Sequence, residues 1–324
     1  MIKVNNISKE FKVPVNENGF IKKFKSLFVR KHTIKQALTD VSFNIDEGDI
    51  VGYVGPNGAG KSTTIKILSG ILLPTSGNVS VAGIDPYKNR IQNAKNIGVV
   101  FGQRSQLYWD LPMRDSFLLH QKMYEIEENV YKSNVAMFTE ILQMESFIDQ
   151  PTRQLSLGQR MRANIALSLL HNPKIVYLDE PTIGLDIVVK KRIREFIVNI
   201  NKEKNTTFIL TTHDMDDIEL VCKRLIMIDK GTLHYDGLLE NFKNNFGSTY
   251  KITVTLNNSE VISHPLMTVK QIDEFTFDIT CDKKSISVGD TVSFISSNHS
   301  VKDIKIQEGD LESILTDMYV HSNA

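Results

Sequence analysis

Cysteine is scarce in this chain, and that scarcity excludes a scaffold built on disulfides. Only two occur in 324 residues, Cys222 and Cys281, far apart and without metal-ligand spacing. Cys222 lies in an apolar pattern and reads as a small core residue. Such sparse usage fits a reducing cytoplasm. An excess of charge of either sign is also missing: 38 basic residues balance 38 acidic ones. That balance argues against a globally basic nucleic-acid binder, so no nucleic-acid partner is expected. Long hydrophobic runs are absent too. No stretch approaches the roughly 20 apolar residues that span a bilayer, and no secretory-type apolar segment stands at the N-terminus. Any membrane role is therefore expected to run through a partner chain or surface contact. What remains is an ordinary globular balance, 41% hydrophobic and 23% charged, in a chain long enough for one large domain and a smaller one.

Against these absences stands one complete motif. Gly55-Pro56-Asn57-Gly58-Ala59-Gly60-Lys61-Ser62 matches G-x-x-x-x-G-K-[ST] without substitution, and Thr63 follows it. Its context is right as well. Ile50-Val51-Gly52-Tyr53-Val54 reads as a buried strand, and Thr63 to Leu68 as the start of an amphipathic helix. The glycines let backbone N–H groups point at phosphate oxygens, and the helix N-terminus adds positive field. Lys61 is expected to reach the β/γ-phosphates and the Ser62 hydroxyl to ligate Mg²⁺. A second element supports the first. Ile175-Val176-Tyr177-Leu178-Asp179-Glu180 is four apolar residues followed by two acids, a buried strand delivering carboxylates at its end. Asp179 is expected to hold Mg²⁺, and Glu180 to orient or deprotonate the attacking water.

Alternation of strands and helices elsewhere implies an α/β fold with a largely parallel sheet covered on both faces. Strands are expected over 1–13 and 40–54, then at Ile97-Gly98-Val99-Val100-Phe101, Phe208-Ile209-Leu210-Thr211-Thr212 and Leu225-Ile226-Met227-Ile228. Residues 114–147 read as mostly helical, and Gln159 to Leu170 as a helix with a small-apolar face. Between the first two strands, 14–37 reads as an insertion carrying a basic amphipathic helix at 20–31. That helix admits three readings: a surface helix packed on the sheet, contact with anionic headgroups, or docking on a membrane partner. Beyond Phe246-Gly247-Ser248 the pattern changes. Tyr250 to Val254, Phe275 to Ile279 and Thr291 to Ile295 alternate with period two and read as half-exposed strands. A last amphipathic helix runs from about Asp310 to Tyr319. Residues 1–246 thus form the nucleotide domain, and 247–324 a small α+β accessory domain.

Further short motifs give the chain a resemblance over roughly residues 1–245 to the ATP-binding cassette (ABC) ATPases, the motor subunits of ABC transporters. Leu155-Ser156-Leu157-Gly158-Gln159-Arg160 is similar to the family signature, with Leu157 where the common form has a glycine. Gly184-Leu185-Asp186 resembles the D-loop, Thr212-His213-Asp214 the switch histidine, and Gln103 the Q-loop glutamine. The resemblance implies a P-loop cassette: a mixed sheet with helices on both faces and a helical subdomain at about 104–170. It implies ATP as substrate with Mg²⁺ held at Ser62, Gln103 and Asp179. Glu180 and His213 would be catalytic. Ser156, Gly158 and Gln159 would cover a γ-phosphate held by a second copy, with Asp186 beside them, in a head-to-tail dimer. Phe11 resembles the adenine-stacking position, with a core phenylalanine as the alternative. The segment from Gln103 to Pro112 would form a groove for a separate integral-membrane permease, and its Trp109 could equally be buried. The closest type by motif is the ABC-2 exporter ATPase, moving drugs, ions, lipids or polysaccharide from the cytoplasmic face of the membrane. The rival reading is a soluble ABC ATPase of translation or DNA repair.

Overall fold

The computed structural model describes residues 1–14, 32–102, 105–247, 249–308 and 311–321. The basic helix expected at 20–31, and Gln103, lie outside them. Strands and helices are numbered below among the described residues. The chain divides into two compact units, Met1–Gly237 and Leu238–Ala324.

In the first unit, β1 (Ile2–Pro14) pairs antiparallel with β2 (His32–Ile45). Next come β3 (Ile50–Val54), helix α1 (Lys61–Leu68) and β4 (Ser76–Val81), and β4 pairs with the other edge of β1. Helix α2 (Arg90–Asn96) leads into β5 (Ile97–Phe101). A helical stretch follows: α3 (Met113–Tyr124), α4 (Glu128–Ile141) and α5 (Leu157–Leu169). The unit closes with β6 (Ile175–Asp179), α6 (Ile187–Lys204), β7 (Thr207–Thr211), α7 (Met215–Val221), β8 (Arg224–Asp229) and β9 (Thr232–Leu238).

The main sheet runs β5-β6-β7-β3-β8-β9, and the pairs from β5 through β8 are all parallel. Parallel strands are covered on both faces, so they need continuous apolar runs rather than alternation. The sequence supplies them: β7 is buried at all five positions, and β3 and β6 at four each. Burying Ile175, Val176, Tyr177 and Leu178 completely contributes on the order of 1.5–3 kcal/mol per side chain. This leaves Asp179 as the first polar group at the strand's C-terminal end, where ligands collect in such sheets. The antiparallel sheet β2-β1-β4 shares one core with the parallel strands, through Ile2, Val4, Ile7, Leu38, Val41 and Phe43.

The second unit adds α8 (Leu239–Phe246), β10 (Thr249–Leu256), β11 (Met267–Gln271), β12 (Thr276–Asp282), α9 (Val288–Asn298), β13 (Val301–Glu308) and α10 (Leu311–His321). Its sheet has the order β11-β12-β10-β13 and every pair is antiparallel. Tyr250, Ile252, Val254, Phe277 and Ile279 form its own core with Ile295 of α9.

Three expectations need correction. The stretch 14–37 is not all insertion. β2 begins at His32 because 32–36 pairs across to Pro14 through Glu10, extending the hairpin beyond the expected start at 40. Thr291 to Ile295 is helix, not strand. Its β-branched residues favour a strand, but Ser287 accepts a hydrogen bond from the Asp290 N–H at 3.1 Å and starts a helix whose Thr291 and Ile295, four apart, are both buried. The boundary between units falls at 237/238 rather than 246/247. Helix α8 belongs with the accessory unit: it and α10 are in contact, and Leu239 and Phe242 are buried. Strands β11 and β13 were not anticipated.

Beside the helical stretch, His120 is buried and stacked on Tyr124, and the half-buried His171 tilts against the same ring, with ring centroids 4.2 Å away in each case. Burial lowers the His120 pKa to about 3, with the neighbouring His171 adding to it, and burial lowers that of His171 to about 4. Both folded values lie below the ordinary 6.5 of an unfolded histidine, so the unfolded chain takes up these protons first. Stability should therefore fall as pH drops from about 6.5 toward 4, by up to about 1.4 kcal/mol per pH unit for each histidine. Urea unfolding between pH 7 and pH 5.5 measures this. His120→Phe should flatten the profile, and an unchanged slope would contradict the assignment.

Candidate nucleotide-binding and hydrolysis site

The site is assembled where β3, β6 and β7 end. The loop from Gly55 to Gly60 links β3 to α1, and its backbone is set by glycine. Gly60 has φ 109°, and a Cβ there would sit 2.6 Å from Leu38 Cδ2 and 2.7 Å from the Ala37 carbonyl oxygen. Only glycine fits this left-handed, crowded position. The Lys61 ammonium curls back into the loop and donates to the Gly55 and Pro56 carbonyls at 2.5 and 3.2 Å. Burial lowers the Lys61 pKa, while the Glu180 and Asp179 carboxylates act to raise it. A phosphate oxygen is a stronger partner than these neutral carbonyls, so the ammonium is placed to exchange them for an anion.

Asp179 closes the second side. Its carboxylate accepts from the Ser62 hydroxyl at 3.1 Å and from the Thr211 hydroxyl at 2.6 Å. Strand β7 lies between β6 and β3 in the sheet, so Thr211 at its end bridges toward Asp179. The Ser62 and Asp179 oxygens are hard donors facing one another, the type of set that suits Mg²⁺. Glu180 follows in the left-handed region, φ 54°, with its N–H donating to the Thr211 carbonyl at 2.9 Å. A non-glycine residue held there costs on the order of 1–2 kcal/mol. The chain pins it from the other side as well. The Gly102 N–H donates to the Asp179 carbonyl at 2.7 Å, and a Cβ on Gly102 would lie 2.8 Å from the carbonyl oxygens of both acids. His213 reaches across, its Nε2 lying 3.1 Å from Glu180 Oε1.

Three clefts meet at Glu180. The first, about 570 Å³, is lined by Phe11, the loop residues Pro56, Asn57, Gly58 and Gly60, and then Lys61, Ser62 and Thr63. The second, about 400 Å³, is lined by Ser62, Gly102 and Asp179. The third, about 250 Å³, holds His213 with Ile183 and Gly184. The structure thus brings Phe11, Lys61, Ser62, Asp179, Glu180 and His213 together. Gly55 and Ala59 lie in the loop without lining these clefts.

Ser156, Gly158, Gln159 and Asp186 form a separate group that lines none of these clefts. Ser156 caps α5 in a reciprocal box. Its hydroxyl accepts from the Gln159 N–H at 3.2 Å, and the Gln159 side chain accepts from the Ser156 N–H at 2.8 Å. This cap starts α5 at Leu157, two residues before the expected Gln159. Asp186 caps α6 by accepting from Val188 and Val189 N–H at 3.0 and 2.9 Å. The two caps are neighbours: a Cβ on Gly158 would sit 3.5 Å from Val189 Cγ2. Behind them, Arg194 donates to Asp217 at 3.0 Å, Thr182 donates to the same carboxylate, and Lys190 pairs with Asp214. This network ties α6 to the segment after His213.

Sequence reasoning missed Thr211, whose hydroxyl type at a strand end was the available signal. It also missed Lys12 and Lys35, which line the first cleft with Phe11. Extending the second strand back before residue 40 would have placed Lys35 opposite Phe11. Trp109 is not a core residue: it is 55% exposed, with the Arg160 guanidinium 5.7 Å from its ring.

A phosphate cradle at one parallel strand end, an acidic pair at a second and a histidine at a third define the P-loop nucleoside triphosphatases as the class. Residues 38–183 match the family described as ABC transporter. The ABC transporter ATP-binding protein NatA of Bacillus subtilis (strain 168) is 32% identical over 214 residues, covering 66% of this chain and 87% of that protein. The probable multidrug ABC transporter ATP-binding protein YbhF of Escherichia coli (strain K12) is 35% identical over 210 residues. That match covers 64% of this chain, and the chain spans only 36% of YbhF. Among solved structures, the dimeric post-hydrolysis state of the ATP-binding cassette MJ0796 bound to ADP and Pi is 27% identical. It superposes with a TM-score of 0.61 over 74% of this chain and 99% of that one. The chain belongs to the ATP-binding proteins of the ABC transporters, and it is an ATPase.

Lys61→Ala removes the cation from the cradle. Nucleotide affinity should fall about 10- to 100-fold, about 1.4–2.8 kcal/mol, in a titration with a fluorescent ATP analogue. Unchanged affinity in a folded variant would mean that the ammonium does not meet phosphate.

Proposed function

We propose that two copies of this chain close head to tail around two ATP molecules and drive a separate ABC-2-type membrane permease as an exporter. The observation that carries the reading is the separation of Ser156, Gly158 and Gln159 from the clefts that hold Lys61 and Glu180. A helix N-terminus with free N–H groups and a hydroxyl is an anion site without an anion of its own, and a two-fold contact would bring it over the γ-phosphate of the other copy. Asp186, at the neighbouring cap, would sit along the same seam. Mg²⁺ would be held by Ser62 and Asp179, with Gln103 as a further ligand, and would neutralise charge on the β- and γ-phosphates. Phe11 would carry the adenine ring, helped by Lys12 and Lys35 at the cleft wall.

Glu180 would orient the attacking water and accept its proton, and His213 would hold the Glu180 carboxylate and face the γ-phosphate. Tyr108, Trp109, Leu111, Leu118 and Met123 are exposed apolar residues on the stretch after Gln103. Such a cluster marks an interaction surface, here for the permease. No helix among the described residues is long and apolar enough to cross a membrane, which is consistent with a separate permease chain. The probable multidrug designation of YbhF supports export of drug-like molecules, driven from the cytoplasmic face of the membrane.

Glu180→Gln keeps the shape and removes the base. The variant should bind ATP, lose hydrolysis by about 100-fold or more, and accumulate as an ATP-dependent dimer in size-exclusion chromatography with light scattering. Hydrolysis at the wild-type rate would overturn the role given to Glu180.

A further inference from the structure

The backbone ladder that joins β6 to β7 stops just short of Glu180 and His213. Asp179 stands opposite Thr211, and the last bond runs from the Glu180 N–H to the Thr211 carbonyl. Beyond it the two segments part: among the described residues, no backbone hydrogen bond joins 181–185 to 212–214. Glu180 and His213 nevertheless meet at 3.1 Å. A carboxylate on α7 spans the gap. Asp217 is fully buried, and its two oxygens hold different partners. Oδ1 accepts from Arg194 at 3.0 Å. Oδ2 accepts from the Thr182 hydroxyl and lies 3.5 Å from that of Thr212. Thr182 comes two residues after Glu180, Thr212 directly precedes His213, and both are buried. Thr212 Oγ1 accepts from the Asp214 N–H at 3.0 Å, which leaves its own proton for Asp217.

We propose that Asp217 is a positioning residue for ATP hydrolysis: by binding the residues beside Glu180 and His213, its carboxylate sets how those two side chains meet. The inference rests on the role given to Glu180 above and adds the group that holds it in register. Two features favour this over mere support of α6. Arg194 takes up only Oδ1, whereas Oδ2 is turned to the two threonines, and these line the third cleft together with Glu180 and His213. Glu180 also sits at φ 54°, a conformation that persists only where its surroundings over-determine it. The Thr211 carbonyl fixes its N–H side, and Thr182 anchors the turn that leaves it, where the Leu185 N–H donates to the Thr182 carbonyl at 3.2 Å. A buried carboxylate is costly unless charge and hydrogen bonds meet both oxygens, and Arg194 with the two hydroxyls meets them. The other charges beside it pair off, Lys190 with Asp214. A shift of about 1 Å at a reacting group costs on the order of 100-fold in rate, so the loss of one hydroxyl anchor is expected to register in turnover.

The test is a double-mutant cycle on the full chain, read as kcat and KM for MgATP, with circular dichroism to establish that each variant is folded. Thr182→Val keeps the shape and the Asp217–Arg194 pair and removes one hydroxyl. It should lower kcat about tenfold at unchanged KM, and Thr182→Ser should restore the rate. In a Glu180→Gln background, where the base is already gone, Thr182→Val should change the residual rate less than about twofold. Asp217→Asn runs through the same cycle, should show the same dependence on Glu180, and decides the matter if Thr182→Val does not fold. Wild-type turnover by Glu180→Gln alone would remove the base assignment and this inference with it. If Glu180→Gln is slow but Thr182→Val keeps the wild-type kcat, or is as damaging in the Glu180→Gln background as alone, Asp217 belongs to the scaffold and the proposal is overturned. A rise in KM in place of the loss in kcat would put the hydroxyl in ATP binding and overturn it too.

Discussion

One carboxylate organises this molecule. Asp179 stands at the end of a fully buried strand and accepts hydrogen bonds from Ser62 on the phosphate loop and Thr211 on the adjacent strand. Three separate chain segments are thereby fixed to one point. The parallel sheet exists to bring them there: β7 lies between β3 and β6, so the loop, the acidic pair and the histidine emerge on the same edge. Glu180 inherits its position from this arrangement. It is held in a left-handed conformation by the Thr211 carbonyl and by the close approach of Gly102. Strain at one residue is tolerated because the hydrogen bonds and packing around it leave no relaxed alternative.

Ser156, Gly158, Gln159 and Asp186 stand apart from the clefts at Glu180. The Ser156 hydroxyl caps α5 by accepting from the Gln159 N–H, and the Asp186 carboxylate caps α6 by accepting from the Val188 and Val189 N–H groups. On the head-to-tail reading proposed above, such a site would gain its last contacts when two copies meet; ATP would then be both the substrate and the link between them, and loss of the γ-phosphate would remove the link. Arg194, Asp217, Thr182, Lys190 and Asp214 connect α6 to the segment that follows His213.

Much of this was legible in the sequence because it is local. A Gly-rich loop between an apolar strand and a helix, or two acids after four aliphatics, needs no distant information. The Ser156 to Gln159 capping box is equally local, yet the helix was expected only from Gln159, because the box was not read. What escaped reading was set by pairing at a distance. β2 starts at His32 only because the partner strand β1 continues to Pro14, and Lys35 enters the cleft through that register. Thr291 to Ile295 carries strand-favouring residues, yet a single serine cap and burial of one helical face decide otherwise. Thr211 is one more threonine in a buried strand until the sheet order sets it beside Asp179. Trp109 could be placed in either environment from sequence, and only the packed fold exposes it.

The central claim is that hydrolysis needs residues from two copies. Ser156→Arg tests it most directly, because Ser156 lines none of the three clefts that meet at Glu180. The account predicts ATP binding at undiminished affinity by the isolated variant, with turnover reduced about 100-fold or more. Turnover at the wild-type rate would contradict it, since one chain alone would then complete the site.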